Sequence, residues 1–145
     1  MKPQIELSAL IAATPQDVYD AWLDSERHSK MTGGGPASVQ PIVGSAFTAW
    51  DGYIRGVNEG LESGRRIVQA WRTTEFPADA PDSRVDILLE AEGAGTRVSL
   101  RHDAIPIDQV EAYRGGWEEF YFAPMRRYFA DLGTSKAAAP STPRR

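Results

Sequence analysis

Between residues 37 and 104 the chain is cut by turn signals into short segments of alternating pattern, and this punctuation restricts the fold more than any other feature. The cuts fall at Val43-Gly44, Asp51-Gly52, Ser63-Gly64, the loop FPADAPDS and Glu92-Gly93-Ala94-Gly95. Between them the sequence predicts strands near 37–41, 45–51, 53–62, 65–74, 83–92 and 95–104. Short breaks between strands join antiparallel neighbours, so the segment reads as a meander. In 84–91, Val85, Ile87 and Leu89 point one way and Arg84, Asp86 and Glu90 the other. Val98 and Leu100 alternate in the same manner with Arg97, Ser99 and Arg101. A sheet patterned like this is covered on one face and wet on the other.

Helical periods flank the meander. Residues 4–13 read as a first strand with Ile5, Leu7 and Ala9 on one face. Thr14 then supplies an N-cap, Pro15 suits the first helical position and Asp17 suits the helix start. Val18, Tyr19, Trp22 and Leu23 follow at helical spacing, and a second short helix is expected over Glu26 to Met31. Thr32-Gly33-Gly34-Gly35-Pro36 ends it and reads as a flexible rim. At the other end, Asp108 and Glu111 have capping-box spacing. Val110, Tyr113, Trp117, Phe120, Tyr121, Pro124, Met125, Tyr128 and Leu132 then trace one face of a long helix. Gly115, Gly116 and Pro124 weaken or bend it. The expected architecture is α+β, a curved antiparallel sheet with its helices segregated. Residues 1–133 form one domain, and the small, proline-rich 134–145 form a disordered tail.

Composition removes several function classes. The 145 residues include no cysteine and two widely separated histidines, which leaves no disulfide, thiolate site or metal-ligand spacing. No cofactor or metal is therefore expected. Net charge is −4, and the last dozen residues hold Lys136, Arg144 and Arg145 with no acid, so the body is more acidic still. Such a body repels phosphate backbones, which argues against a nucleic-acid partner. The absence of a spanning apolar run or signal pattern points to a cytoplasmic protein without a membrane role. The GGGP stretch lacks the features of a phosphate loop, and Asp51-Gly52 reads as a turn.

Several stretches together resemble a known family. They are ATPQDVYDAWLDSERHSKM, VGSAFTAWDGYIRGVNE, RRIVQAWR, GTRVSLRHDAIP and YRGGWEEFYFAPMRRYF, in that order over nearly all of 4–132. The sequence is similar to the START-like and Bet v 1-like (SRPBCC) helix-grip superfamily. Within it, the sequence resembles the branch named for the activator of Hsp90 ATPase homologue 1. The resemblance implies a sheet curled around the last helix with an interior cavity, and it matches Trp71 and Trp117 to two family tryptophans. Lys30 and Met31 stand where family members often carry tryptophans, which alters the expected pocket mouth. The eukaryotic activator's extra amino-terminal domain has no counterpart in these residues, so an Hsp90-activating role does not follow from the resemblance.

The aromatic helix face suits a packed core or a pocket wall. As wall, Trp117 and Tyr121 come first, with Trp50, Trp71 and Met125 behind them and Tyr113 and Met31 completing the ligand-binding set. The reading that follows is a non-enzymatic module holding a small hydrophobic molecule between sheet and helix. A polyketide-cyclase or hydrolase-like enzyme is the alternative, with His102 as its base and Asp51, Glu59 or Tyr113 to orient it. His102 continues the inward alternation of Val98 and Leu100 and equally fits a hydrogen-bonded structural role. His28, in a polar short helix, is expected to face solvent. A third reading is a homodimeric or chaperone-linked interaction module, using an exposed sheet edge.

Overall fold

A computed structural model describes residues 4–138, with side chains to residue 132. The order is β1 (Ile5–Ile11), α1 (Pro15–Trp22), α2 (Ser25–Thr32), β2 (Ala46–Ala49), β3 (Ile54–Glu62) and β4 (Arg66–Thr73). Then come β5 (Ser83–Glu92), β6 (Gly95–Asp103), α3 (Val110–Trp117) and α4 (Ala123–Ala138). Among the described residues the sheet is six-stranded and antiparallel, in the order β1-β6-β5-β4-β3-β2. The sheet curves around the C-terminal helical segment, with α1 and α2 inserted after β1, as the α+β reading expects. No helix among the described residues is long and apolar enough to cross a membrane.

Local signals place the helices. Thr14 caps α1 by accepting from the Asp17 amide at 3.1 Å, and Asp24 caps α2 by accepting from the Arg27 amide at 2.9 Å. Gly33 closes α2 in the left-handed region, φ 68°, where a side chain would be strained. The alternation in β5 and β6 holds: Val85, Ile87, Leu89, Val98 and Leu100 are all buried.

Three expectations are corrected. No strand forms over 37–41, where a single bridge, Ser38 to Thr48, remains. The Ser25 side chain takes both polar groups of the Val39 backbone, donating to its carbonyl at 3.1 Å and accepting from its amide at 2.9 Å. Pro36 and Pro41, on either side, have no amide to give a ladder. The Asp108–Glu111 capping box also does not form, because a 3-10 turn over Ile107–Gln109 takes that stretch and α3 starts only at Val110. The last helix runs past Gly133 to Ala138, so the first part of the expected tail is helical, while 139–145 lie outside the described residues.

The long helix is neither regular nor kinked in a simple way. A π turn, Glu118–Phe122, joins α3 to α4. Trp117, Tyr121, Met125 and Phe129 are all buried, a spacing of four. A step of four overshoots one α-helical turn by about 40°. The wider π turn absorbs that drift and keeps the row facing the sheet. Pro124, with no amide to offer the Phe120 carbonyl, sits where the i→i+4 ladder is already interrupted.

Candidate binding site

Where α3 and the π turn cross the open end of the sheet, a cavity of about 440 Å³ remains. Trp71 of β4, with Trp50 and Ile54 on either side of the β2–β3 turn, forms its sheet side. Tyr113, Gly116, Trp117, Phe120 and Tyr121 form its helix side. The rings pack on one another at the back: Trp71 lies 5.6 Å from Trp117 and 5.3 Å from Tyr113 between centroids, and Trp117 lies 4.9 Å from Tyr121. Trp117 is 3% exposed. The wall is therefore also core, with one side of these rings in packing and the other on open volume.

Trp50 is held in an unusual way. Its φ is 54° and that of Asp51 is 55°, both in the left-handed region that β-branched and bulky residues avoid. This strained corner ends β2 earlier than the alternation implied. The indole lies on Gly34, where a Cβ would land on the ring, and meets Phe120 edge-on with centroids 5.4 Å apart. The GGGP stretch is thus the seat of an aromatic wall residue. The Trp50 Nε1 donor is buried and has no partner among the described residues. The Tyr121 hydroxyl is near, but it makes no hydrogen bond of acceptable geometry with the indole.

The mouth is polar. Tyr53 donates its hydroxyl to the Glu75 carboxylate. The Tyr113 hydroxyl donates to Gln109 Oε1 at 2.7 Å, which leaves Thr73 Oγ1, 2.6 Å away, as the donor to Tyr113. Gln109 Nε2 in turn donates to the Glu75 carbonyl at 2.9 Å. Burial, followed by the bond to Glu75, pushes the Tyr53 hydroxyl upward. Burial does the same at Tyr113.

His102 lies behind the wall, not in it. An indole only donates, so Trp117 Nε1, at 3.0 Å, requires His102 Nδ1 to accept. The ring proton is then on Nε2 and goes to Ser83 Oγ at 2.8 Å, and Ser83 donates to the Trp71 carbonyl at 2.6 Å. Both nitrogens are spent, and burial pulls the imidazole down to about 3. Asp51, Glu59 and Tyr113, the orienting partners considered from the sequence, make no hydrogen bond to it among the described residues.

His28 corrects the solvent-facing expectation. It is buried, its Nδ1 donates to the Trp22 carbonyl at 2.8 Å, and its Nε2 accepts from Tyr121 at 2.8 Å. Burial lowers it to about 4. It fixes the wall ring Tyr121 to α2, a role invisible in a polar octapeptide because its partner lies far along the chain. Of the sequence-nominated residues, Trp50, Trp71, Tyr113, Trp117 and Tyr121 meet at the cavity. Met31 and Met125 are fully buried and outside the lining. Sequence reasoning passed over Tyr53, Glu75, Gln109 and Gly116. Of these only Gly116 carried a signal, a glycine within an aromatic helix face.

Comparisons with known proteins bear on the fold and the family. The Activator of 90 kDa heat shock protein ATPase homolog of Dictyostelium discoideum is 29% identical over 115 residues, which is 79% of this chain but 30% of that protein's length. A solved HSP90 activator from Plasmodium falciparum superposes with a TM-score of 0.80 at 19% identity, covering 88% of this chain and 96% of that one. The solution structure of the Aha1 dimer from Colwellia psychrerythraea gives a TM-score of 0.67 at 17% identity, covering 81% and 89%. These two likenesses show the fold. Residues 12–130 match the family described as Activator of Hsp90 ATPase homolog 1-like protein, and the chain belongs to that family.

Proposed function

We propose that the protein is a non-enzymatic carrier or sensor that binds a small, mostly apolar molecule in the cavity between the sheet and the α3–π turn segment. The observation that supports this most is open volume bounded by aromatic rings from both the sheet and the helix. A volume of about 440 Å³ falls in the range of small-molecule sites. Affinity would come from apolar ligand surface leaving water, about 25 cal/mol per Å² before association costs. The enzyme alternative lacks support at its nominated base, since His102 has no free lone pair and sits behind the rings. Calorimetric titration with a panel of neutral aromatic and aliphatic compounds tests the reading, alongside native mass measurement of protein from its own host. Saturable heats or a retained mass are expected, and a panel that gives neither overturns it.

A second reading has one observation behind it. A solved relative of the same fold is a dimer. Here β1 and β2 are the sheet edges, and β1 exposes Leu10. Self-association through β1 would show as twice the chain mass in light scattering, and a concentration-independent monomer would remove it.

A further inference from the structure

The lining has a charge sign. We propose that the cavity selects organic cations, that is, ammonium compounds with an aromatic or alkyl body, over carboxylates of the same shape. This assignment rests on the cavity being a ligand site at all. Among the described residues the lining holds one charged side chain, Glu75, and no Lys or Arg. The rings of Trp50, Trp71, Trp117, Tyr53, Tyr113 and Phe120 line the space, and an aromatic ring attracts a cation that approaches its face through its quadrupole. Glu75 accepts the Tyr53 hydroxyl on Oε2, and Oε1 has no partner among the described residues. No described basic group pairs with this carboxylate.

Arg72, Arg114 and Arg126 are committed elsewhere. Arg72, the nearest in sequence, donates to the Ala80 and Pro77 carbonyls and to Asp82, and its guanidinium stands over Phe76. Arg114 is paired with Glu111, and Arg126 with Glu118. Both buried imidazoles are neutral with every nitrogen engaged. A ligand carboxylate would meet electron-rich rings and a like charge at the mouth, with no described donor of opposite sign. An ammonium would meet the reverse.

The experiment uses three isosteric probes on the whole chain: naphthylmethylammonium, naphthylmethanol and naphthoate, each titrated calorimetrically at neutral pH and low salt. The expected order is ammonium, alcohol, carboxylate, with the ammonium roughly five- to tenfold tighter than the alcohol. That ratio should shrink as salt rises and shrink in Glu75→Gln, a substitution at an exposed position, to the smaller preference that the rings supply. If the alcohol binds and the ammonium has no advantage, or if Glu75→Gln leaves the ratio intact, the charge assignment is overturned and the cavity reading stands. If none of the three binds, both fall together.

Discussion

Gly34 and Trp50 set the tone at the scale of single residues. A glycine run before a proline signals a break in structure, and the sequence supports nothing more specific. In three dimensions the missing Cβ at Gly34 is what lets the indole lie flat against the backbone. Gly34→Ala should therefore push Trp50 off its seat and cost about 1–3 kcal/mol, as overpacking does. Denaturant titration would read the loss, and a shifted tryptophan emission would locate it. Wild-type stability in this variant would mean that the loop and indole separate freely. His28 shows the same limit from the other side. A histidine among Ser, Glu, Arg and Lys looks solvated, and only the approach of Tyr121 from ninety-three positions away makes it a buried link.

Elements were more legible than contacts, because their signals are local. Thr14-Pro15-Gln16-Asp17 announces α1, and the alternation of Val85, Ile87 and Leu89 announces β5. What failed was local pattern met by a nonlocal competitor, as when Ser25 took the Val39 backbone and left no strand over 37–41. The α3–π turn segment also exceeds what periodicity can say. Its apolar steps identify a helix face, but the widened turn that keeps Trp117, Tyr121 and Met125 in one row answers to the sheet opposite. Gly116 lines the cavity on this segment, and a Cβ there makes only an ordinary 3.8 Å contact with Phe120. Gly116→Leu should project into the open volume and abolish probe binding, with the melting temperature kept or raised by the gain in helix propensity, about 1 kcal/mol. Undiminished binding in a folded Gly116→Leu protein would place the ligand elsewhere.

For the molecule as a whole, the two buried histidines make stability depend on acid. Burial lowers His28 to about 4 and His102 to about 3, against an ordinary 6.5. The unfolded chain takes up protons at pH values where the folded one refuses them. Their contribution is thus complete above about 6.5 and is lost as pH falls toward the folded values. Hydrogen bonds from Arg97 and Arg126 hold Glu92 and Glu118 below 4.5, so between 6.5 and 4.5 the decline belongs mainly to the histidines. Unfolding free energy should drop there by at most roughly 3 kcal/mol per pH unit, the limit for two protons. His102→Gln, which preserves one donor and one acceptor, should halve that slope, and an unchanged slope would mean that the folded protein already binds the proton. The order of elements, the wet and dry faces of the sheet and the aromatic face of the last helix follow from the sequence alone, because periodicity and turn chemistry act over a few residues. Whether the aromatic rings close on one another or leave volume between them depends on distances among β3, β4 and α3. So do the neutrality of both histidines and, among the described residues, the unpaired Trp50 donor and the single carboxylate at the mouth, because packing of chain segments far apart in sequence determines all four.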